Sequence, residues 1–282
     1  MSTTISAAQF LDVKTITSMR HIRRMRGGSQ AQLMHCSDAS FYVVKFRNNP
    51  QSSRILANEL VGAMLAHVIG LPVPAVALVE VEQDLIDHTE ELRIELTDGS
   101  VPCEAGLHFG SRFVVNPLSG KVWDYMPVAQ LSRVRNLDTF LGVLVLDKWV
   151  SNTDSRQATF WRWTTERRYH VSFIDQGYCF NAEEWTFPDD PLRGVYALNE
   201  VYEGVRDWSS FEPWLTRVEN IPEDLVWRIA SLVPQMWYSD DWAAMERLVR
   251  HLIDRRQSVR SLIEGFRTSP RTPFPNWSQH SS

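Results

Sequence analysis

The sequence contains few cysteines and no paired-cysteine motif. Only Cys36, Cys103 and Cys179 occur among its 282 residues, and none lies in a Cys-x-x-Cys spacing. An odd number of isolated thiols argues against a disulfide framework and against a structural zinc site. The eight histidines form no His-Glu-x-x-His motif, so the common zinc-protease signature is absent. This pattern predicts a reducing, cytoplasmic setting.

Long apolar runs are also absent. The longest apolar stretches, residues 60–69 and 140–146, are too short to cross a bilayer. The first residues are polar where a secretory signal needs an apolar core, so we expect no membrane association. A net charge of -5 gives no general attraction to nucleic acid, which makes a nucleic-acid partner unexpected.

The charge is unevenly distributed along the chain. Nine acidic residues fall between Glu80 and Glu104, whereas the first sixty residues are basic. The basic residues of that region are Lys14, Arg20, Arg23, Arg24, Arg26, Lys45, Arg47 and Arg54. Both runs are typical of a solvated surface, and the basic one is also suited to binding phosphates.

The common nucleotide-binding signatures are missing. The chain has no Gly-x-x-x-x-Gly-Lys-Ser/Thr motif and no Gly-x-Gly-x-x-Gly preceding a strand–helix unit. It also lacks the His-Arg-Asp and Asp-Phe-Gly triplets of ordinary protein kinases. If the chain binds a nucleotide, it therefore does so without the standard motifs of nucleotide-binding proteins and ordinary protein kinases.

Two aspartates flank a predicted hairpin in the second half of the chain. Residues 160–163 and 169–174 have the composition of short strands joined by a polar turn. Because a hairpin returns the chain to its starting point, Asp154 and Asp175 can face one site from two loops. Two such carboxylates can be solvated turn residues, but they are also the minimum for a kinase, one for the hydroxyl and one for the metal.

Three further features precede this pair. Gly27 and Gly28 lie in a turn, Lys45 lies in the predicted strand 41–46, and Glu59 lies in the predicted helix 55–69, which Gly70 ends. Alternation along the strand predicts that Lys45 points away from the face that Val44 and Phe46 share. Each also has an interpretation without function: the glycines can form a simple turn, Lys45 can lie on an edge strand, and Glu59 can lie on a solvated helix face. Together they match a phosphate-binding loop, a phosphate-neutralising ammonium and its carboxylate partner.

The remaining elements are predicted from periodicity and breakers. Strands are expected at 33–36, 75–81, 92–96 and 111–115, and helices at 138–148, 195–205, 222–232 and 241–265. Asp138 is the predicted cap of its helix. Residues 116–120 form a turn at a predicted domain boundary. Residues 268–282 contain three prolines, which predicts a flexible tail.

The ordered motifs resemble the HipA-like kinases, in the compact branch with an Asn-Thr-Asp-x-Arg-Gln stretch. The resemblance rests on residues 27–31, 43–46, 58–60, 70–74, 149–157 and 174–177. It implies an α+β, bilobal, protein-kinase-like fold. A β-rich N-lobe with one helix would span residues 1–115, and a mostly helical C-lobe would span residues 116–267.

The resemblance also implies a role for individual residues. Gly27, Gly28, Ser29 and Gln30 would form the phosphate loop, Lys45 and Glu59 would contact ATP as a pair, and Arg112, Phe113 and Val114 would pass the adenine. Asp154 would be catalytic together with Lys45, and Asp175 would hold Mg²⁺. Similar kinases have a metal-binding asparagine where this chain has Thr159. Gln157 or Asn152 are the candidate substitutes.

These features predict an ATP- and magnesium-dependent phosphotransferase, with a serine or threonine of a protein as acceptor. The alternatives are a nucleotide-binding pseudokinase, which Thr159 favours, and a small-molecule kinase of the same fold. The sequence shows no antitoxin-binding appendage.

Overall fold

The computed structural model describes residues 12–278. Within that range ten strands and seven α-helices follow one another, with short 3-10 turns between some of them. They are β1 (Lys14–Arg24), β2 (Gln32–Cys36), β3 (Phe41–Lys45), α1 (Arg54–Val68), β4 (Val76–Val81), α2 (Gln83–Asp87), β5 (Arg93–Leu96), β6 (Gly99–Pro102), β7 (Gly106–Arg112), β8 (Gly120–Trp123), α3 (Thr139–Trp149), β9 (Gln157–Trp163), β10 (His170–Ile174), α4 (Trp214–Glu219), α5 (Glu223–Ser231), α6 (Trp242–Arg255) and α7 (Val259–Arg267).

The first part of the chain forms a closed five-stranded barrel in the order β1-β2-β3-β7-β4. It closes because β1 pairs in parallel with β4 while the other neighbours are antiparallel. Alternation along β3 and just beyond it places Val44 and Phe46 in the barrel interior, and Lys45 between them points to the opposite side. That orientation is the predicted one.

Helix α1 lies between the barrel and the helices that follow. It is buried along nearly its whole length because apolar residues surround its axis. Its end is closed by two 2.9 Å hydrogen bonds, in which the amides of Gly70 and Leu71 donate to the carbonyls of His67 and Ala66. The predicted helix and its glycine stop are both confirmed.

Helix α3 is the centre of the larger core. Ten of its eleven residues are buried, and it packs against α4 and α7 and the sheet β10-β9-β8. Asp138 lies at the predicted N-cap position, but its side chain makes no capping hydrogen bond. Burial of this mostly apolar helix stabilises α3 without such a bond.

Two predicted helices differ from the structure. Residues 195–205 contain only a 3-10 turn, Asn199–Tyr202, and the Val195 carbonyl accepts the Arg156 amide at 3.1 Å instead of an intrahelical N–H. The predicted helix 241–265 is broken between α6 and α7. At that break the buried Arg255 side chain binds the Lys148 carbonyl at 3.1 Å, and Arg256 binds the Ile221 carbonyl at 2.8 Å.

Other predicted boundaries also change. The strand expected at 111–115 is β7, which ends at Arg112. The acidic region carries the short helix α2 and a β5–β6 hairpin, so the barrel half has a second helix. Phe274 is buried against Tyr202 and Phe266, so the predicted flexible tail does not extend over residues 268–278. Residues 279–282 lie outside the described range.

The three cysteines are free and buried, which agrees with the expected lack of disulfides. Among residues 12–278, no helix combines the length and apolar character needed to span a bilayer.

Lys148 on α3 provides a test of the core. Its ammonium is buried and donates to the carbonyls of Pro191 at 2.8 Å and Arg193 at 2.5 Å. Burial lowers its pKa from 10.5 to about 8, although Asp147 and Asp190 act in the opposite direction.

We expect the stability of the wild type to rise with pH relative to Lys148→Met. Between the folded and unfolded pKa values the unfolded state binds more protons, so the wild type should gain about 3 kcal/mol from pH 7 to pH 10.5. Urea unfolding of both proteins across this range measures the difference. Lys121→Met, at the exposed position of strand β8, is the control. Parallel stability curves for wild type and Lys148→Met would contradict the assignment.

Candidate active site

A cavity of about 870 Å³ lies between the barrel and the helical half. It is bounded on the barrel side by the turn after β1 and by β3 and β7, and on the other side by the loops that flank the β9–β10 hairpin. Most residues predicted for the site line it, namely Gly27, Gly28, Ser29, Lys45, Glu59, Arg112, Phe113, Val114, Asp154, Gln157, Thr159 and Asp175. Gln30 is not among its lining residues.

Lys45 is the centre of an ion-pair cluster on the cavity wall. Its Nζ donates to Asp175 Oδ1 at 2.8 Å and to Glu59 Oε1. The Glu59 carboxylate also accepts the backbone N–H of Gln176 at 3.0 Å. One lysine therefore joins β3, α1 and the loop after β10, three elements that are remote in sequence.

The protonation of this cluster follows from burial and mutual charge. Burial alone would lower the pKa of Lys45, but the carboxylates of Glu59 and Asp175 outweigh burial and raise it. Burial would raise the pKa of Asp175, but Lys45 lowers it to about 2. Lys45 is thus charged and Asp175 ionised at neutral pH. Burial raises the pKa of Glu59.

Two glycines let the backbone approach the site. Gly27 has a φ of +120°, which strains any residue with a Cβ. At Gly177 a Cβ would lie 2.7 Å from Ile55 Cγ2 and 3.1 Å from Glu59 Oε1. The chain after Asp175 can therefore pass directly over α1.

The Gln30 side chain turns away from the cavity, so the structure does not bring it together with the other predicted nucleotide contacts. Its amide accepts the Glu95 N–H at 2.8 Å and donates to the Glu95 carbonyl at 2.7 Å. It also bonds to Arg24. The side-chain amide of Gln30 thus pairs with both backbone groups of Glu95, as a neighbouring strand would. These contacts connect the glycine turn to the β5–β6 hairpin.

Asp154 lies exposed on the cavity edge, in the loop before β9. Its Oδ1 accepts the Ser155 N–H at 2.7 Å. The loop is joined to the segment after Asp175, since the Thr153 amide donates to the Tyr178 carbonyl at 3.1 Å. Both aspartates thus line one cavity from adjacent loops.

Asn152 is not available as a metal ligand. It is buried, its Nδ2 donates to Asp147 Oδ1 at 3.0 Å, and its Oδ1 accepts the Asp154 amide at 3.2 Å. Gln157 and Thr159 both line the cavity with Asp175. Across residues 12–278, no three His, Cys, Asp or Glu side chains form a metal-binding group. A metal at Asp175 would need neutral oxygens, phosphates and water as its other ligands.

The connector after β7 is the third wall of the cavity. Arg112 ends the strand, and Phe113 and Val114 continue without strand pairing. The Phe113 amide still bonds to the Phe41 carbonyl at 2.7 Å, which holds the connector against β3. Phe109, which the sequence analysis did not identify, also lines the cavity beside these residues.

The buried ion pair between Asp147 and Arg156 supports the site and was not predicted from the sequence. Arg156 Nε donates to Asp147 Oδ2 at 2.9 Å and its Nη2 bonds to Oδ1, with both side chains fully buried. Arg156 Nη1 also binds the carbonyls of Ile174 at 3.0 Å and Asp175 at 3.4 Å. Asp147 in a mostly apolar helix was the available signal, because a buried carboxylate needs a partner.

Asn58 is a second residue that the sequence did not reveal. Its Nδ2 lies within hydrogen-bond distance of the carbonyls of Gly177 at 2.7 Å, Cys179 at 3.1 Å and Ala182 at 2.8 Å. Its Oδ1 accepts the Trp185 indole N–H at 2.7 Å. Asn58 thereby fixes the backbone of residues 177–182 against α1.

Comparisons with known proteins agree that the chain is similar to kinases. The family model described as HipA-like kinase matches residues 19–262. No curated protein sequence matches the chain. Similar solved structures are the Helicobacter pylori proinflammatory kinase CtkA (TM-score 0.58, 12% identity, covering 89% of this chain and 97% of that one) and the Golgi casein kinase (TM-score 0.50, 12% identity, 93% and 78%).

A third similar structure is hydra Fam20 with sugar, with a TM-score of 0.50 and 11% identity over 98% of this chain and 92% of that one. At such identities the likeness establishes the fold alone. The family model, in contrast, spans most of the chain. The chain therefore belongs to the HipA-like kinase family and is a kinase, with the mixed α/β fold seen in these structures.

Proposed function

We propose that the chain transfers the γ-phosphoryl group of ATP, with magnesium, to a serine or threonine hydroxyl of a protein. The observation that carries the proposal is the Lys45–Glu59–Asp175 cluster, which faces the same cavity as the glycine turn and Asp154. A buried ammonium held by two carboxylates beside a glycine turn is suited to phosphate oxygens and a metal.

The nucleotide would occupy the barrel side of the cavity. The backbone of Gly27, Gly28 and Ser29 can approach the phosphates, and Lys45 supplies a fixed positive charge. Phe109 and the connector 112–114 provide the apolar wall for adenine. A volume of about 870 Å³ lies within the range of small-molecule sites, about 300–1,000 Å³.

The residues present fit a magnesium ion. Asp175 is ionised and its side chain is partly exposed to the cavity, and Gln157 and Thr159 offer neutral oxygens. Magnesium commonly uses one or two carboxylates and completes its shell with water and substrate phosphates, so Thr159 in place of asparagine is compatible with binding. Bound magnesium supplies charge neutralisation of the phosphate oxygens.

Asp154 would orient the acceptor. In the transfer the hydroxyl oxygen bonds to the γ-phosphorus, the bond from that phosphorus to the bridging oxygen of ADP breaks, and the hydroxyl proton passes to Asp154. The predicted division near residue 115 then separates the nucleotide-binding part from the part that carries both aspartates.

Asp154→Asn should separate binding from transfer. The amide keeps the shape of the side chain but accepts no proton, so we expect transfer to fall about 10²- to 10⁴-fold while Mg-ATP affinity stays nearly unchanged. Single-turnover transfer and calorimetric titration measure the two effects. Asp98→Asn, an exposed carboxylate outside the cavity, is the control. An equal loss of transfer in both variants would remove the special role of Asp154.

A further inference from the structure

The basic residues of the N-terminal region form two groups in the structure. One group is paired with carboxylates: Lys45 as described, Arg24 with Glu95, Arg47 with Glu104 and Arg54 with Asp241. The other group, Lys14, Arg20, Arg23 and Arg26, makes no ion pair within residues 12–278. The predicted basic surface is therefore reduced to a few positive charges on β1 and the turn that follows it.

Two of these unpaired residues belong to the cavity. Arg23 and Arg26 are exposed and line it beside Gly27 and Ser29, whereas Arg20, on the same strand, does not line it. Because they are both solvent-exposed and part of the wall, a second substrate that enters the cavity from solvent can reach them. Unpaired guanidinium groups at that edge attract anions.

The phosphates of the nucleotide have their own fixed charge further inside. Lys45 is nearly buried and held by two carboxylates. Arg23 and Arg26 provide two further positive charges besides Lys45. Both remain in contact with solvent, so they are available to the acceptor.

The edge of the cavity that is formed outside the barrel carries the reverse charge. Asp154 and Asp124 are exposed there, beside the exposed Tyr125. A carboxylate of the acceptor is repelled by this edge and attracted by Arg23 and Arg26, while a neutral hydroxyl is free to meet Asp154. The charge pattern thus sets the orientation of the acceptor across the cleft.

We propose that the acceptor is an acidic protein segment, whose hydroxyl meets Asp154 while flanking carboxylates bind Arg23 and Arg26. This inference rests on the proposed function and narrows its substrate class.

The test measures binding, which needs no phosphoryl transfer. The probe is a fluorescein-labelled peptide with one central serine flanked by glutamates, compared with the same peptide carrying glutamines. Anisotropy titration uses the full chain saturated with Mg-ADP. We expect the glutamate peptide to bind about tenfold more tightly, since complementary charges discriminate between ligands.

Charge variants locate the contact. Arg23→Gln combined with Arg26→Gln should weaken binding of the glutamate peptide about three- to tenfold, the range for two exposed ion pairs, and leave the glutamine peptide unaffected. The corresponding lysine variants should retain most of the preference because they keep the charge. Arg20→Gln, an exposed arginine of β1 outside the cavity, is the control and should bind as the wild type does.

Three results would overturn the proposal. The first is an undiminished preference for the glutamate peptide in the double variant. The second is a loss of Mg-ADP affinity in that variant with peptide binding unaltered, which would assign both arginines to the nucleotide. The third is stronger, arginine-dependent binding of a single-stranded oligonucleotide. Absence of phosphate transfer in samples that bind the acidic peptide would count against the proposed function alone.

Discussion

Asp175→Asn should abolish phosphoryl transfer and make nucleotide affinity independent of magnesium. The substitution removes the ionised carboxylate that faces the cavity beside Lys45. Loss of metal-based charge neutralisation costs several kcal/mol of barrier, so we expect transfer to fall by at least about a thousandfold. Lys45 keeps Glu59 as a partner, and the fold should survive.

The decisive measurement is ATP affinity with and without magnesium. In the wild type magnesium should tighten binding, and in Asp175→Asn the two affinities should become nearly equal. Asp154→Asn, in the adjacent loop, should keep the magnesium effect and serves as the comparison. If Asp175→Asn weakens ATP equally with and without magnesium, the carboxylate acts by holding Lys45 and not as a metal ligand.

Arg156→Met should destabilise the fold by about 3–5 kcal/mol, because it leaves Asp147 buried without its cation. Arg156 also holds the carbonyls of Ile174 and Asp175, so transfer should be lost with the stability. Replacing both partners, Arg156→Met with Asp147→Leu, should recover much of the stability because no unpaired buried charge remains. Transfer should stay low in this double variant, since the loop after β10 has lost its anchor.

Urea unfolding and transfer assays on the single and double variants separate these effects. The control is Arg250→Met, which breaks the exposed Arg250–Glu246 pair on α6 and should cost no more than about 1 kcal/mol. Recovery of both stability and transfer in the double variant would show that the pair only supports the fold. A loss below 1 kcal/mol in Arg156→Met would show that the buried pair is not maintained in solution.

Local patterns were sufficient where neighbouring residues determine the structure. The alternation of Val44, Lys45 and Phe46 predicted which side of β3 faces the barrel interior, and the apolar repeat of α1 with Gly70 predicted its length. The β9–β10 hairpin likewise brought Asp154 and Asp175 to one cavity, as the sequence predicted.

Contacts between distant residues were not predictable in this way. The 195–205 segment was predicted to be helical, but the carbonyl of Val195, its first residue, bonds to the Arg156 loop and not to the segment itself. Gln30 lies among glycine-turn residues in sequence, yet its partner Glu95 is 65 residues away. The Asp147–Arg156 pair and the contacts of Asn58 similarly depend on tertiary neighbours. Residue spacing contains no information about such partners without the fold.

The proposed reaction is phosphoryl transfer from magnesium-ATP, with Asp154 and Asp175 acting from adjacent loops. The most direct measurement is incubation of the full chain with γ-labelled ATP, magnesium and the serine-containing acidic peptide, followed by intact-mass analysis of both. We expect the wild type to add phosphate to a hydroxyl, Asp154→Asn to show a steep decrease, and Asp175→Asn, or the wild type with a metal chelator, to add none. Binding of ATP with no phosphate on any species, or equal transfer by the wild type and both variants, would contradict it.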